Sequence, residues 1–261
     1  MPMRFLLLIT CLACIINIQG QQTTVTLDNY FNNEWKKDST GKDVPYHYTW
    51  EDKENTGFSL FGDIFARYGV KRNTLTASPT RQNLKNTNIY IIVDPDTDKE
   101  TLHPNYIRTT DIDAISKWVA GGGILLLMAN DSANTEFEHF NHLASRFGIH
   151  FNEDRKNHVI GNNVADGAIL VPARHFIFTT ARKVYMKDIS TISVKRPAAI
   201  VLKNGSDNVI ALAKYGRGVV LAVGDPWFYN EYVTDKNLPA DFENYAAAND
   251  LVKWLLKQIH R

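Results

Sequence analysis

Asp113 to Asp131 reads DAISKWVAGGGILLLMAND, and this stretch decides the fold. Thr110 with Asp113 forms a capping-box pattern at a helix start, and Gly121 is placed as the residue just past its end. Three glycines then release the chain into Ile124–Met128. That run is continuously apolar, as a strand covered on both faces requires. It stops at Asn130-Asp131.

The same alternation continues on both sides. TVTLDNYF reads as a first strand, and GFSLFGDIFARYGV as a helix with Leu60, Phe61, Ile64, Phe65 and Tyr68 on one face. NIYIIVDPD is a second buried strand. NTEFEHFNHLASRFG is a helix ending at Gly148, with Phe137, Phe140, Ala144 and Phe147 inward. Strands alternating with helices predict a parallel sheet with helices on both faces. The C-terminal half is built differently. There AAIVLKNGSDNVIALAKYGRGVVLAVGD reads as three strands joined by turns at Asn204-Gly205 and Gly216-Arg217. They add an antiparallel edge. ENYAAANDLVKWLLKQI closes the chain as a helix. Between Asn152 and Arg196, HFIFTT and KVYMKDI are expected as short strands. The fold class is thus α/β, mostly parallel, flavodoxin-like or glutamine-amidotransferase-like.

Residues 1–20 read as a signal peptide: Arg4 supplies a basic start, FLLLITCLACIINI the apolar run, and IQG the cleavage site. That run is short for a membrane span. Secretion or periplasmic export is expected, with lipid anchoring at Cys14 the lesser reading. Residues 21–261 then form a single α/β domain. Both cysteines, Cys11 and Cys14, leave with the leader, which excludes a disulfide and a thiol nucleophile in the mature chain. A formal charge of +1 gives no case for nucleic acid as a partner, and no membrane insertion is expected after processing.

The strand exits share a chemistry. They deliver Asp28-Asn29, Asp94 with Asp96, Asn130-Asp131, and Asp225. In open α/β sheets ligands bind beyond the carboxyl ends of the strands, so these residues are expected along one rim. The alternative is that each caps a helix or a turn. A long aperiodic loop follows the first strand, and its distal part, YHYTWEDKEN, concentrates aromatics, acids and amides. His47, Trp50 and Glu51 are candidates there for stacking on sugar rings and bonding hydroxyls. Folding of those aromatics into a local plug is the alternative. The last strand spills into GDPWFYNEY, where Trp227, Tyr229, Asn230 and Glu231 join the set. Glu136 is placed at the mouth of a cleft by the wheel of its helix, with His139 on the flank and His142 outward. That wheel does not favour a metal. No HExxH, CxxC or phosphate loop occurs, and no cofactor is expected.

DAISKWVAGGGILLLMAND resembles the non-amidotransferase branch of the class I glutamine-amidotransferase-like fold, the ThuA-like or GIFT group. YHYTWEDKENTGFS, NIYIIVDPDT and GDPWFYNEY more closely resemble a secreted bacterial family found alongside, or labelled as, unsaturated rhamnogalacturonyl hydrolases. The resemblance implies a domain acting on plant cell-wall acidic glycans of rhamnogalacturonan type, with an oligo- or polysaccharide as partner and a fused or neighbouring glycosidase. The departure is at the elbow, where MANDSAN stands in place of a cysteine, so glutaminase chemistry by that route is excluded. Ser132 lacks the small flanking residues of a nucleophile elbow. Three functional readings stay open. The first is glycoside hydrolysis by two of Glu51, Asp94, Asp131, Glu136, Asp225 and Glu231, which requires carboxyls ~5–5.5 Å or ~6.5–9.5 Å apart. The second is a non-catalytic glycan-binding module, and the third a metal-dependent hydrolase.

The processed protein should react with no thiol reagent. Intact-mass analysis of secreted material that still contains Cys11 or Cys14 would overturn both the processing site and this expectation.

Overall fold

The computed structural model describes residues 22–161, 163–234 and 236–259. The expected leader, with Cys11 and Cys14, lies outside them. The chain enters through β1 (Thr24–Asp28), buried from Val25 onward. The long segment after it carries a small hairpin, β2 (Trp35–Lys37) with β3 (Asp43–Pro45). Next come α1 (Ser59–Arg67) and β4 (Lys71–Leu75). β5 (Ile89–Val93), α2 (Thr109–Ala120) and β6 (Ile124–Met128) make a strand–helix–strand unit. α3 (Phe137–Ser145) leads to β7 (Ile149–Phe151). The region that follows holds three short strands, β8 (Ala168–Leu170), β9 (Lys183–Tyr185) and β10 (Ile192–Val194). β11 (Ala199–Asn204), β12 (Asp207–Tyr215) and β13 (Gly218–Val223) form the antiparallel meander. A single turn, α4 (Asn230–Val233), precedes the closing α5 (Asn244–Gln258).

The main sheet has seven strands in the order β11-β12-β13-β6-β5-β1-β4. β4, β1, β5, β6 and β13 are parallel, and β12 runs against both its neighbours. Taken in chain order, the parallel strands stand 2-1-3-4-5, the flavodoxin-like winding. The direction of winding reverses between β1 and β5. Successive strand residues point to opposite faces, and each face has its own helices. Val25, Leu27, Ile91 and Leu126 pack with Phe61, Ile64 and Phe65 of α1 and with Leu251 and Leu255 of α5. Tyr90, Ile92, Leu125 and Leu127 pack with Ile115 and Val119 of α2 and with Phe140 and Leu143 of α3. No helix among the described residues is long and apolar enough to cross a membrane.

Several local expectations shift. The N-cap of α2 is Arg108, and the carboxylate of Asp111 reaches back to accept its N–H at 2.9 Å, in place of the Thr110–Asp113 pair. The left-handed residue past that helix is Gly122 (φ 115°), one later than expected. KVYMKDI yields only β9. HFIFTT is irregular, because the His175 ring bonds the Ile177 and Phe178 N–H groups and turns the chain.

The aromatics after Pro226 turn inward. Phe228 stacks on Phe61 of α1 at 4.2 Å, and Trp227 meets Phe228 at 4.0 Å and Phe178 edge-on at 6.2 Å. The irregular segment around Phe178 lies over this region and keeps Trp227 from solvent. Trp227→Ala should therefore cost about 3–5 kcal/mol of stability, the range for emptying a buried large aromatic. Urea unfolding measures it, and a loss below about 1 kcal/mol would show that the ring is not core.

Candidate functional site

β13, β6, β5 and β1 are parallel neighbours, so their carboxyl ends share one edge. Asp28 ends β1, Asp94 follows β5, Asn130 lies just past β6 and Asp225 just past β13. The four strand exits are therefore set along a single rim, with Asp28 and Asp94 flanking the point where the winding reverses.

Asp94 is the centre of the rim. It is buried, with φ 45°, a left-handed conformation that costs a non-glycine residue roughly 1–3 kcal/mol and persists only when its surroundings fix it. Its Oδ2 accepts the Tyr48 hydroxyl at 2.6 Å, and its Oδ1 accepts the Thr135 hydroxyl. Because Tyr48 donates to Asp94, the 2.7 Å contact between Tyr48 and Tyr229 is donated by Tyr229. Thr135 Oγ1 also accepts the Asn130 N–H at 2.7 Å. Burial raises the Asp94 pKa above the ordinary carboxylate range, against the pull of those two hydroxyls. His47 stacks on Tyr48 at 4.0 Å, and its Nδ1 lies 2.6 Å from Glu34 Oε1. Burial lowers the His47 pKa, but the Glu34 hydrogen bond and charge outweigh it, and the net shift is upward.

Above this layer opens a small cavity of about 190 Å³. Five of the expected residues line it: His47, Asn130, Asp225, Tyr229 and Glu231. Thr56, Asn134, Lys187, Asp188 and Tyr232 complete it. Asp225 is buried, accepts the Lys187 N–H at 2.9 Å, and has its carboxyl pushed well up by desolvation. Asp188 is fixed by Arg155 at 2.8 Å and His158 at 2.7 Å. Lys187 and Asp188 arrive from the chain beyond β9. Their only sequence signal is a charged pair closing a short apolar run.

The other expected residues have structural work. Trp50 is 5% exposed, donates to the Asn73 carbonyl at 3.0 Å and packs on Phe61 and Phe65. Trp227 is 0% exposed. Neither ring has a free face for a sugar, which corrects the stacking expectation: the distal loop is the plug. Asn230 is buried and spends its amide on Leu60 N–H and on the Asp52 and Glu54 carbonyls, tying α4 to α1. Asn29 donates to the Asn32 carbonyl within its own turn. Asp131 holds the Ala133 N–H and the Asn134 amide and pairs with Arg155 at 2.8 Å. Glu136 is the N-cap of α3, accepting the His139 N–H, so its carboxylate serves the helix rather than a cleft. His142 is exposed, as expected, and Glu51 is exposed and lies off the cavity lining. Asp28 accepts Tyr30 N–H at 3.1 Å, Phe31 N–H at 2.7 Å and the Tyr90 hydroxyl.

A larger cavity, about 960 Å³, lies elsewhere. It lies at the amino ends of β5 and β6 around Trp118, with Arg81, Lys85 and Lys117. The rim is the better candidate despite its smaller volume. It is where strand ends deliver converging polar side chains, and where this winding places ligands.

No family model matches the chain, and no curated protein sequence matches it. Solved structures do. The mmIFT52 N-terminal domain superposes with a TM-score of 0.65 at 19% identity, over 90% of this chain and 97% of that one. The cytoplasmic protein STM1381 from Salmonella typhimurium LT2 follows at 0.58 and 12%, over 90% and 99%. A β-galactosidase from Bacillus circulans sp. alkalophilus matches at 0.50 and 10%, over 83% of this chain but 30% of its own. At these identities the likeness is one of fold.

Burial pushes Asp28 up to about 7 against its hydrogen bonds. A carboxyl raised on folding stabilises the protein below its unfolded value, near 4, and that stability is lost as pH rises toward 7. That rise is worth on the order of 4 kcal/mol. Asp28→Asn mimics the protonated acid. It should melt above the wild type at pH 8 and match it near pH 4; equal differences at both pH values would refute the assignment.

Proposed function

We propose that the domain binds one neutral sugar residue of a glycan in the rim cavity, as a non-catalytic accessory module of a polysaccharide-degrading system. The lining carries this reading. Asn130, Asn134, Tyr229, Glu231 and Asp188 offer donors and acceptors together around about 190 Å³, and a polyhydroxylated ring uses both. The size fits a chain end rather than an extended polymer, since pockets for larger ligands span ~300–1,000 Å³. Charge selects among the residues of an acidic glycan. Asp188 and Glu231 set two carboxylates on the lining against Lys187, so a uronate carboxylate is repelled and a neutral unit is taken. The buried acids Asp28, Asp94 and Asp131 are engaged in internal hydrogen bonds, which favours binding over hydrolysis. The rhamnogalacturonan class and secretion rest on the family resemblance. An accessory role beside a glycosidase is supported by the β-galactosidase that contains this fold within a longer chain.

One observation favours a second reading. Asp225 is buried on the lining, desolvation raises its carboxyl well above the ordinary range, and Glu231 shares that lining; a carboxylic acid paired with a carboxylate is what glycoside hydrolysis needs.

Calorimetry against rhamnose- and galactose-terminated oligosaccharides from rhamnogalacturonan, with oligogalacturonate as the acidic comparison, tests the binding reading. Glu231→Gln should weaken the neutral ligand about tenfold, as loss of a charged hydrogen bond of roughly 1.5–3 kcal/mol implies. Wild-type protein that binds none of these sugars sinks it. Release of reducing ends by the wild type, abolished in Asp225→Asn, would move the conclusion to the second reading.

A further inference from the structure

Beside the winding reversal the chain gathers Glu34, Asp94, Asp96 and Glu100. Their charges act on one another: Glu34 and Asp94 each raise Asp96 and Glu100, after the larger effect of desolvation. Among the described residues, the basic group bonded to these four acids is His47, through Glu34.

Two oxygens in this neighbourhood have no donor. Asp96 is 2% exposed; its Oδ2 accepts the Asn33 N–H at 2.9 Å and the Thr101 hydroxyl, while its buried Oδ1 accepts nothing. Asn32, also 2% exposed, donates its Nδ2 to the Asp94 carbonyl at 2.8 Å. A carbonyl only accepts, so the amide cannot be turned over, and Asn32 Oδ1 is left buried without a donor. The two residues belong to one interlock. Asn32 reaches across to the turn after β5, and Asp96 N–H donates back to the Phe31 carbonyl at 2.9 Å. A buried acceptor with no donor costs roughly 1–3 kcal/mol. Two of them among four carboxylates form a site short of positive charge.

We propose that Asp96 Oδ1 and Asn32 Oδ1 are ligands of a hard divalent cation held between the turn after β1 and the turn after β5. Carboxylate and amide oxygens suit calcium, magnesium or manganese rather than zinc. Calcium is the best fit, because irregular loops give it the flexible oxygen coordination it accepts and magnesium does not. Glu34, Asp94 and Glu100 supply negative field rather than direct bonds. Among the described residues, only Glu136, Glu138 and His139 bring three acidic or histidine ligand atoms within 4.8 Å of one another. That group sits at the start of α3, where the helix dipole opposes a cation, and it is the competing location the test must separate.

The test titrates calcium chloride into chelator-treated full-length protein by calorimetry, with magnesium and zinc in parallel. One equivalent should bind with a dissociation constant of roughly 10⁻⁴–10⁻³ M, the range for weak extracellular calcium modules. At about 10 mM calcium the melting temperature should rise by about 3–11 °C. Asp96→Asn should abolish both effects, and Glu138→Gln should leave them intact. If Asp96→Asn does not fold, Glu100→Gln decides: with one negative charge removed from the exposed side of the cluster, calcium should weaken several-fold, and unchanged affinity overturns the proposal. Wild-type protein with no saturable calcium binding also overturns it, since water or a proton then satisfies the two oxygens. So does binding that survives in Asp96→Asn or disappears in Glu138→Gln.

Discussion

The buried carboxylate of Asp94 is the constraint on which the rim depends. A charged or half-charged acid out of water costs several kcal/mol unless donors reach it. Here they come from two places in the chain: Tyr48 from the long segment after β1 and Thr135 from the approach to α3. Tyr229, from the loop after β13, holds Tyr48 in place. Satisfying one acid therefore interlocks three loops. It also explains how Asp94 keeps a left-handed backbone at the end of an otherwise regular strand.

This interlock accounts for the form of the cavity above it. Its floor is rigid, because Tyr229 is both a wall of the cavity and part of the Asp94 chain. Its far wall, Lys187 and Asp188, is a different kind of structure. It is anchored through salt bridges of Asp188 and through the Asp225 hydrogen bond to the Lys187 backbone.

The parts of the fold that were legible in the sequence are those where burial is two-sided. IYIIV, ILLLM and GVVLAV are continuous apolar runs, and their exits located Asp94, Asn130 and Asp225. β4 was not legible. KRNTL is an edge strand with one buried residue, so it has neither a run nor an alternation to read. The hairpin of β2 and β3 and the strands β7 to β10 are three residues each, below any period. The tryptophans show a different limit. Aromatics mixed with acids look alike in a sequence whether they face a ligand or a core. For Trp227 the difference is made by the segment around Phe178, some fifty positions earlier. For Trp50 it is made by α1, which closes over it. Lys187 and Asp188 reach the cavity only because β9 carries them there, a contact no local pattern encodes.

The placement of β1 inside the sheet, with α5 closing the chain, has a consequence for attachment. Thr24 exchanges hydrogen bonds with Asn88 before β5 begins, so the chain enters at the edge opposite the rim. Gln258, near the end of α5, lies beside Val219 at the start of β13, at that same edge. Both described ends thus leave from the base of the molecule. Whatever is tethered there, whether a surface anchor or a second globular unit, would hold the domain by its back and leave the cavity turned outward and unobstructed.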